Sequence, residues 1–466
     1  MSRQIAPDYG QQFLFPPALE DWVALDHPAR FLREFVEQLD LAGLGFVLPE
    51  AMEGRPAYAP SLLLKIWLFG YMHRIRSTRK LEIACREQLS LLWLTGMIQP
   101  DHNSLWRFWR DNKKALRAVF RRSAELAVQN GLVGFVLQAL DGTKIQAASS
   151  GHTGWNKQGL ETLLKALDQE LDQTEARLDQ EGAPVPEASY RLPESLADKE
   201  ALREKVRAGL MEMERIDRDH LHPNEPEARR MSCDGKNRFG YNAQAMVDDK
   251  AGVIVAVEVS NQENDAGLAV PLVQQAEQNC GSQADAAVAD SGYGSGPEIA
   301  QAAQSGVNLL VRPVGDSVAE TKTYHAYNFA FEPERDRVIC PQGKDLNFAR
   351  NMNQKGQIVR IFRCDHHDCP VRAECTKDQR SRRLIEIWSH TSAVQAMRAK
   401  IKQPQAAAQL RKRRQLIERV FGHIKQHESW RRWTVRGLEG VKTQWALLCC
   451  AFNLRLLYQN RRARAA

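Results

Sequence analysis

The sequence predicts an α/β fold, preceded by an all-helical region and interrupted by two insertions. Three observations predict it. Apolar residues recur at helical spacing through the first 130 residues, short strand-like runs then alternate with helices, and two of those runs end in an aspartate. The 466 residues are 43% hydrophobic and 26% charged, which excludes a disordered or fibrous chain, and the length suggests about three units. Mean hydropathy is −0.47. The longest apolar stretch, Trp445–Leu457, is too short to span a bilayer and contains Asn453 and Arg455. No membrane segment is expected, and with no apolar leader at the start a cytoplasmic location is. Nine cysteines, an odd number, argue against a disulfide framework.

After a Pro-rich start, Leu62, Leu63, Ile66, Leu68 and Tyr71 predict a helix over Ser61–Ile75. Ser77 is placed to cap the next helix, through Leu81, Ala84 and Leu89, and Gly96 closes the following one. Ser104 is placed to cap a helix through Leu105, Phe108 and Trp109. Short helices with tight turns fit a helix-turn-helix-like unit over 1–130. Between Tyr71 and Glu125 twelve Lys/Arg face five acids, which suits a DNA-binding domain.

Phe135–Asp141 reads as a buried strand ending in an acid. Leu160–Glu181 and Ser195–Asp219 read as two antiparallel helices around a Pro-containing break, a helical-hairpin insertion over 156–230. Its eighteen acids against twelve Lys/Arg mark a solvated outer face. Strands return at Tyr241–Val247 and Val253–Val259, joined by a turn through Asp248, Asp249 and Gly252. A helix over Leu268–Cys280 follows, with Asp265 placed to cap it. Then come a strand at Ala286–Asp290, a helix over Glu298–Ser305 and a strand at Asn308–Val311. Residues 319–391 form a polar, Cys-rich insertion, and Val394–Lys425 and Thr443–Tyr458 are helical. The catalytic core is thus assigned to 131–155, 231–318 and 392–466.

Functional residues of open α/β sheets gather where strands end. Asp141 and Asp290 stand there, each followed by turn formers. Adjacent carboxylates repel unless a cation lies between them, and Mg²⁺ is held by one or two carboxylates plus substrate phosphates. A third acid to hold a metal pair is Glu418, beside the stripe Leu410, Ile417, Val420, Phe421 and Ile424; Arg411, Arg414 and Lys425 share its face at spacings of three, four and seven. Two Mg²⁺ (or Mn²⁺) ions would activate an attacking oxygen and stabilise the leaving one in an in-line displacement at phosphorus. Water as nucleophile gives DNA hydrolysis; a 3′-hydroxyl gives strand transfer.

At these residues the chain resembles the DDE transposases of bacterial insertion sequences, which have an RNase H-like core. The matching segments are LDGTKIQA around Asp141, VADSGYGS around Asp290 and RQLIERVFGHIK around Glu418. Arg414, Glu418 and Lys425 match the spacing of the family's signature, whose Tyr is replaced by Arg411. YAPSLLLKIWLFGYMHRIRSTRKLE and PDHNSLWRFW resemble the N-terminal domain of the subgroup numbered 1182. The resemblance implies catalysis by Asp141, Asp290 and Glu418, double-stranded DNA (element ends and target) as partner, a homodimer joining two ends, and a bacterial, nucleoid-associated protein. The alternatives are an RNase H-like nuclease that hydrolyses without joining strands and a non-catalytic DNA-binding relic.

Cys340, Cys364, Cys369 and Cys375 can close a tetrahedral structural Zn²⁺ site, with His366 or His367 able to replace one ligand; four reduced thiols without metal is the other reading. A short polar insertion has little core of its own, so a metal staple is reasonable. From Ala407 to Ala466 fourteen Lys/Arg face three acids, so a polyanion partner is expected, with Arg411, Arg414, Lys425, Arg431, Arg432 and Arg436 as DNA contacts. Trp430, Trp433 and Trp445 favour core packing over base stacking.

Overall fold

The structure, a computed structural model, describes residues 18–48, 56–149, 154–180, 194–354, 356–366, 368–376, 382–427 and 430–465. The chain forms two compact units, Met1–Val133 with Thr443–Ala466, and Gly134–Lys442. Residues 443–466, assigned from sequence to the catalytic core, therefore belong with the N-terminal helices. The reason is packing. Trp445, Leu447, Leu448, Cys449, Cys450 and Leu454 are all buried on the C-terminal helix Leu438–Ala465. Asn453 donates to Ser123 Oγ at 3.3 Å and Arg455 to the Tyr71 carbonyl at 3.1 Å.

The first unit contains α1 (Pro28–Glu37), α2 (Pro60–Met72), α3 (Thr78–Glu87), α4 (Leu89–Thr95), α5 (His102–Asp111) and α6 (Lys113–Gln129). α2 is buried from Leu63 to Tyr71 on all but one residue, as a helix apolar all round must be. Gly96 ends α4 in the left-handed conformation, as its position predicts. The cap of α5 is Asp101 rather than Ser104: its carboxylate accepts from the Asn103 and Ser104 amides, both at 2.9 Å. Ser77 precedes α3 without a side-chain capping bond.

The second unit begins with β1 (Leu137–Gln146), β2 (Trp155–Asn156), α7 (Lys157–Gln180), α8 (Glu194–Arg215), β3 (His220–Leu221), β4 (Arg229–Cys233), β5 (Lys236–Asp248) and β6 (Ile254–Ser260). It continues with α9 (Ala269–Cys280), β7 (Ala286–Val288), α10 (Gly296–Gln304), β8 (Leu309–Leu310) and α11 (Asp316–Thr321). The predicted helical hairpin is α7 and α8, packed through Leu160, Leu167, Val206 and Met213; the Pro-containing break between them lies outside the described residues. The main sheet runs β4-β5-β1-β7-β8, with β6 also on β5. β5 is antiparallel to β1, β4 and β6, whereas β1, β7 and β8 are parallel. Tight turns join β4 to β5 and β5 to β6, and α10 makes a helical crossover from β7 to the parallel β8. Asp248 makes the turn region rigid by accepting from the Gly134, Phe135 and Lys250 amides.

The Cys-rich insertion is a five-stranded antiparallel sheet of β9 (Ala330–Glu332), β10 (Arg337–Ile339), β11 (Asp345–Gln354), β12 (Gln357–Arg363) and, after the short α12 (Arg372–Cys375), β13 (Leu384–Ile387). It has a core of its own: Phe329, Val338, Leu346, Phe362, Ile385 and Ile387. That overturns the expectation of an insertion with little core. The segment expected as one helix from Val394 to Lys425 is α13 (Thr391–Ile401), α14 (Pro404–Gly422) and a π turn at His423–His427. Pro404 forces the break, since the residue before a proline is disfavoured in the helical conformation.

Candidate active site

Parallel pairing of β1 with β7 ends at Ala139 opposite Val288. Asp141 lies two residues past that point on β1, and Asp290 two residues past it on the neighbouring chain. The two acids thus occupy matching places beyond adjacent parallel strands. β1 itself does not stop there. Its antiparallel pairing with β5 runs on to Gln146, so Asp141 lies within the strand, opposite Ala245, rather than at its end.

Asp141 accepts from the Gly142 amide at 2.8 Å and from Arg413 Nη1 at 2.5 Å. Burial raises its pKa above the usual aspartate value; Arg413 works against that, and the nearby Asp290 adds to it. Asp290 accepts from the Gly292 amide at 2.8 Å and caps a 3₁₀ turn, Ser291–Tyr293. α14 supplies Arg413 because Leu410 and Leu416 pack on Leu137, Ala139, Ala286 and Val288 below the acids. Residue 413 follows Leu410 by three and precedes the buried Ile417 by four, so it faces the sheet.

Glu418 stands elsewhere on α14. Its carboxylate accepts from Arg414 Nε at 2.7 Å, one turn back, and its side chain is 61% exposed. Arg411, Arg414, Arg431, Arg432 and Arg436 are exposed too. Arg432 donates to the Ala147 carbonyl at 3.2 Å, and Lys425 pairs with Asp234 at 3.0 Å. Trp430, Trp433 and Trp445 are buried, which favours core packing over base stacking.

The acid beside Asp141 and Asp290 is Asp265. The sequence places it to cap α9, yet Leu268 is the N-cap there and the Asp265 side chain makes no capping bond. The Asp265 carboxylate instead accepts from Asn242 Nδ2 at 2.7 Å and Gln244 Nε2 at 2.8 Å. Asn242 and Gln244 are fully buried on β5. Gln244 Oε1 accepts from the Tyr293 hydroxyl. Burial, then the fields of Asp265, Asp141, Asp290 and Glu298, keep that phenol protonated well above its ordinary range. Asn242, Gln244, Asp265 and Arg413 were not singled out from sequence as site residues. The available signal was polar residues two apart on a strand otherwise apolar, which one sheet face must satisfy.

Among the described residues no three His, Cys, Asp or Glu side chains are gathered as a closed metal cage. The donors at Asp141 and Asp290 are hard carboxylate oxygens that repel one another. They fit a cation that takes one or two carboxylates and completes its shell with water and phosphate. In the insertion, Cys340, Cys364 and Cys375 pack against the sheet core. Burial raises the Cys375 pKa, Arg383 lowers it, and the fields of Cys364, Cys369 and Cys340 raise it further. His367 lies outside the described residues.

No helix among the described residues is long and apolar enough to cross a membrane. No curated protein and no solved structure matches the chain. The family model for a transposase DDE domain matches residues 339–458, which include Glu418, and that for a transposase domain (DUF772) matches residues 17–111, the N-terminal helices. Transposase family models thus match both the N-terminal and the C-terminal parts of the chain, which supports a DDE transposase of an insertion sequence.

Proposed function

We propose that the protein binds the terminal repeats of its own element and catalyses metal-dependent strand cleavage and strand transfer through Asp141, Asp290 and Glu418, on an RNase H-like core. The observation that carries this reading is the pair of repelling carboxylates at matching places beyond adjacent parallel strands. The sheet order, three antiparallel strands followed by two parallel ones, supports the core assignment. Asp141 and Asp290 would hold Mg²⁺ or Mn²⁺; the family generally uses divalent ions. Two bound ions supply activation of the attacking oxygen and neutralisation of the leaving one.

The chain's own residues prepare that site. The Gly142 and Gly292 amides fix one oxygen of each aspartate. Arg413 neutralises Asp141, both side chains being about one-fifth exposed. Glu418 is the third carboxylate, held only by an exposed pair with Arg414, which a competing cation readily displaces. Arg411, Arg414, Lys425, Arg431, Arg432 and Arg436 would meet phosphates of the DNA, and two copies would bring two ends together. Assays of cleavage and of joining from a pre-cleaved end test the reading. Asp141→Ala lowers both by at least about a hundredfold, the scale of losing one preorganised charge contact, with DNA affinity kept. If only cleavage is ever seen, the protein is a nuclease rather than a transferase.

Zinc at Cys340, Cys364, Cys369 and Cys375 is the second part of the proposal. The Lys344 amide donates to Cys340 Sγ at 3.3 Å. Elemental analysis of purified protein should give about one zinc per chain, against none for Cys364→Ser with Cys369→Ser.

A further inference from the structure

The Asp265 carboxylate sits between the two strand ends that carry Asp141 and Asp290. A Cβ added to Gly142 would stand 2.8 Å from Asp265 Oδ1, 2.4 Å from Gln244 Nε2 and 2.9 Å from Asn242 Oδ1. One added to Gly292 would stand 3.0 Å from Asp265 Oδ2. One oxygen of Asp265 therefore faces the residue after Asp141 and the other the residue after Asp290. Asn242 and Gln244 tether the first oxygen to β5. Tyr293 ties the Asp290 turn to the same Gln244. The second oxygen has no hydrogen-bond partner among the described residues. Neither does Asn242 Oδ1, although Asn242 is fully buried.

We propose that Asp265 is a positioning residue for the Asp141–Asp290 pair: a wedge, anchored on Asn242 and Gln244, that sets the separation of the two strand ends. The inference rests on the catalytic reading above and deepens it. Placing reacting groups is worth a great deal, since a displacement of about 1 Å costs about a hundredfold in rate. The tether is made of hydrogen bonds to an oxygen that asparagine also has. Loss of the side chain should therefore be far worse than loss of its charge.

The test uses the full-length protein, a duplex made from the DNA flanking its coding region, and Mn²⁺. In Asp265→Ala, kcat for cleavage falls about a hundredfold, while KM and the affinity for that duplex measured by fluorescence anisotropy stay near wild type and Tm falls by no more than the about 2–4 °C that unpaired buried amides cost. Asp265→Asn restores kcat to within about tenfold of wild type. Gly142→Ala, pressing on Asp265 from the other side, shows the same split as Asp265→Ala. A wild-type rate in Asp265→Ala overturns the proposal. So does an Asp265→Asn enzyme as slow as Asp265→Ala, which would assign the role to charge. Parallel losses of Tm and DNA affinity would assign it to folding alone. Asp141→Ala separates the two levels: if that variant cuts like wild type the catalytic reading fails, and if it is dead while Asp265→Ala is not, only the wedge fails.

Discussion

A carboxyl group deprived of water and set beside another acid keeps its proton to higher pH than it would in solvent. Asp141 is such a group: burial raises its pKa above the model-peptide value of 3.8, Asp290 adds to this, and Arg413 opposes it. Only the ionised form can serve a cation, so the acid limb of the cleavage pH profile should lie above pH 3.8. Arg413→Met removes the opposing charge and moves that limb further up; a limb unmoved or shifted down in a pH series at saturating Mn²⁺ would contradict the pairing. Asp141 and Asp290 were legible in the sequence because strand, acid and turn former occur together. Arg413 was not. Helical spacing points to the cations that share a face with Glu418, whereas residue 413, between Leu410 and Ile417 on the inward stripe, is the one that reaches the sheet. Asp265 was missed because its partners lie more than twenty residues upstream on another strand, and nothing local marks that meeting.

Among the elements, α9 is held at its N-terminus by α10. Glu298, 2% exposed, accepts from the Gly267 amide at 2.8 Å and the Ala269 amide at 2.6 Å. Glu298→Ala leaves buried donors without partners and should cost about 1–3 kcal/mol in urea unfolding. Burial raises the Glu298 pKa above 4.5. Folding then takes up a proton, so this group's stabilisation is complete below pH 4.5 and declines as pH rises through the folded value. Glu298→Gln keeps an acceptor and removes that dependence, which stability curves at several pH values would record. The helices and the β5–β6 hairpin were readable because period and turn chemistry agree. The five-stranded sheet was not. Three of its strands are only three or four residues long and the ten-residue β11 buries only Leu346, so polar residues outnumber the apolar ones that make its core.

For the whole molecule, a net charge of +7 conceals a basic C-terminal region and an acidic helical hairpin. Exposed guanidinium groups that meet phosphates release counterions, so affinity for element-end DNA should fall linearly in log–log terms as salt rises. Removing Arg411 and Arg414 as glutamines should reduce that slope by about one each, and an unchanged slope would take the face of α14 out of the DNA interface. The assignment of residues 443–466 could not have been read from sequence: their helical period shows that a face is buried, not against what. The crowding at Gly142 and Gly292 also bears on how such elements age in a genome. A single methyl at either place, a common kind of point change, presses on Asp265, and on Gln244 at the first or Asp290 at the second, while leaving every acid in place. On the proposed chemistry, copies of the element would then fall silent with Asp141, Asp290 and Glu418 intact, and a census of living copies would count these glycines too.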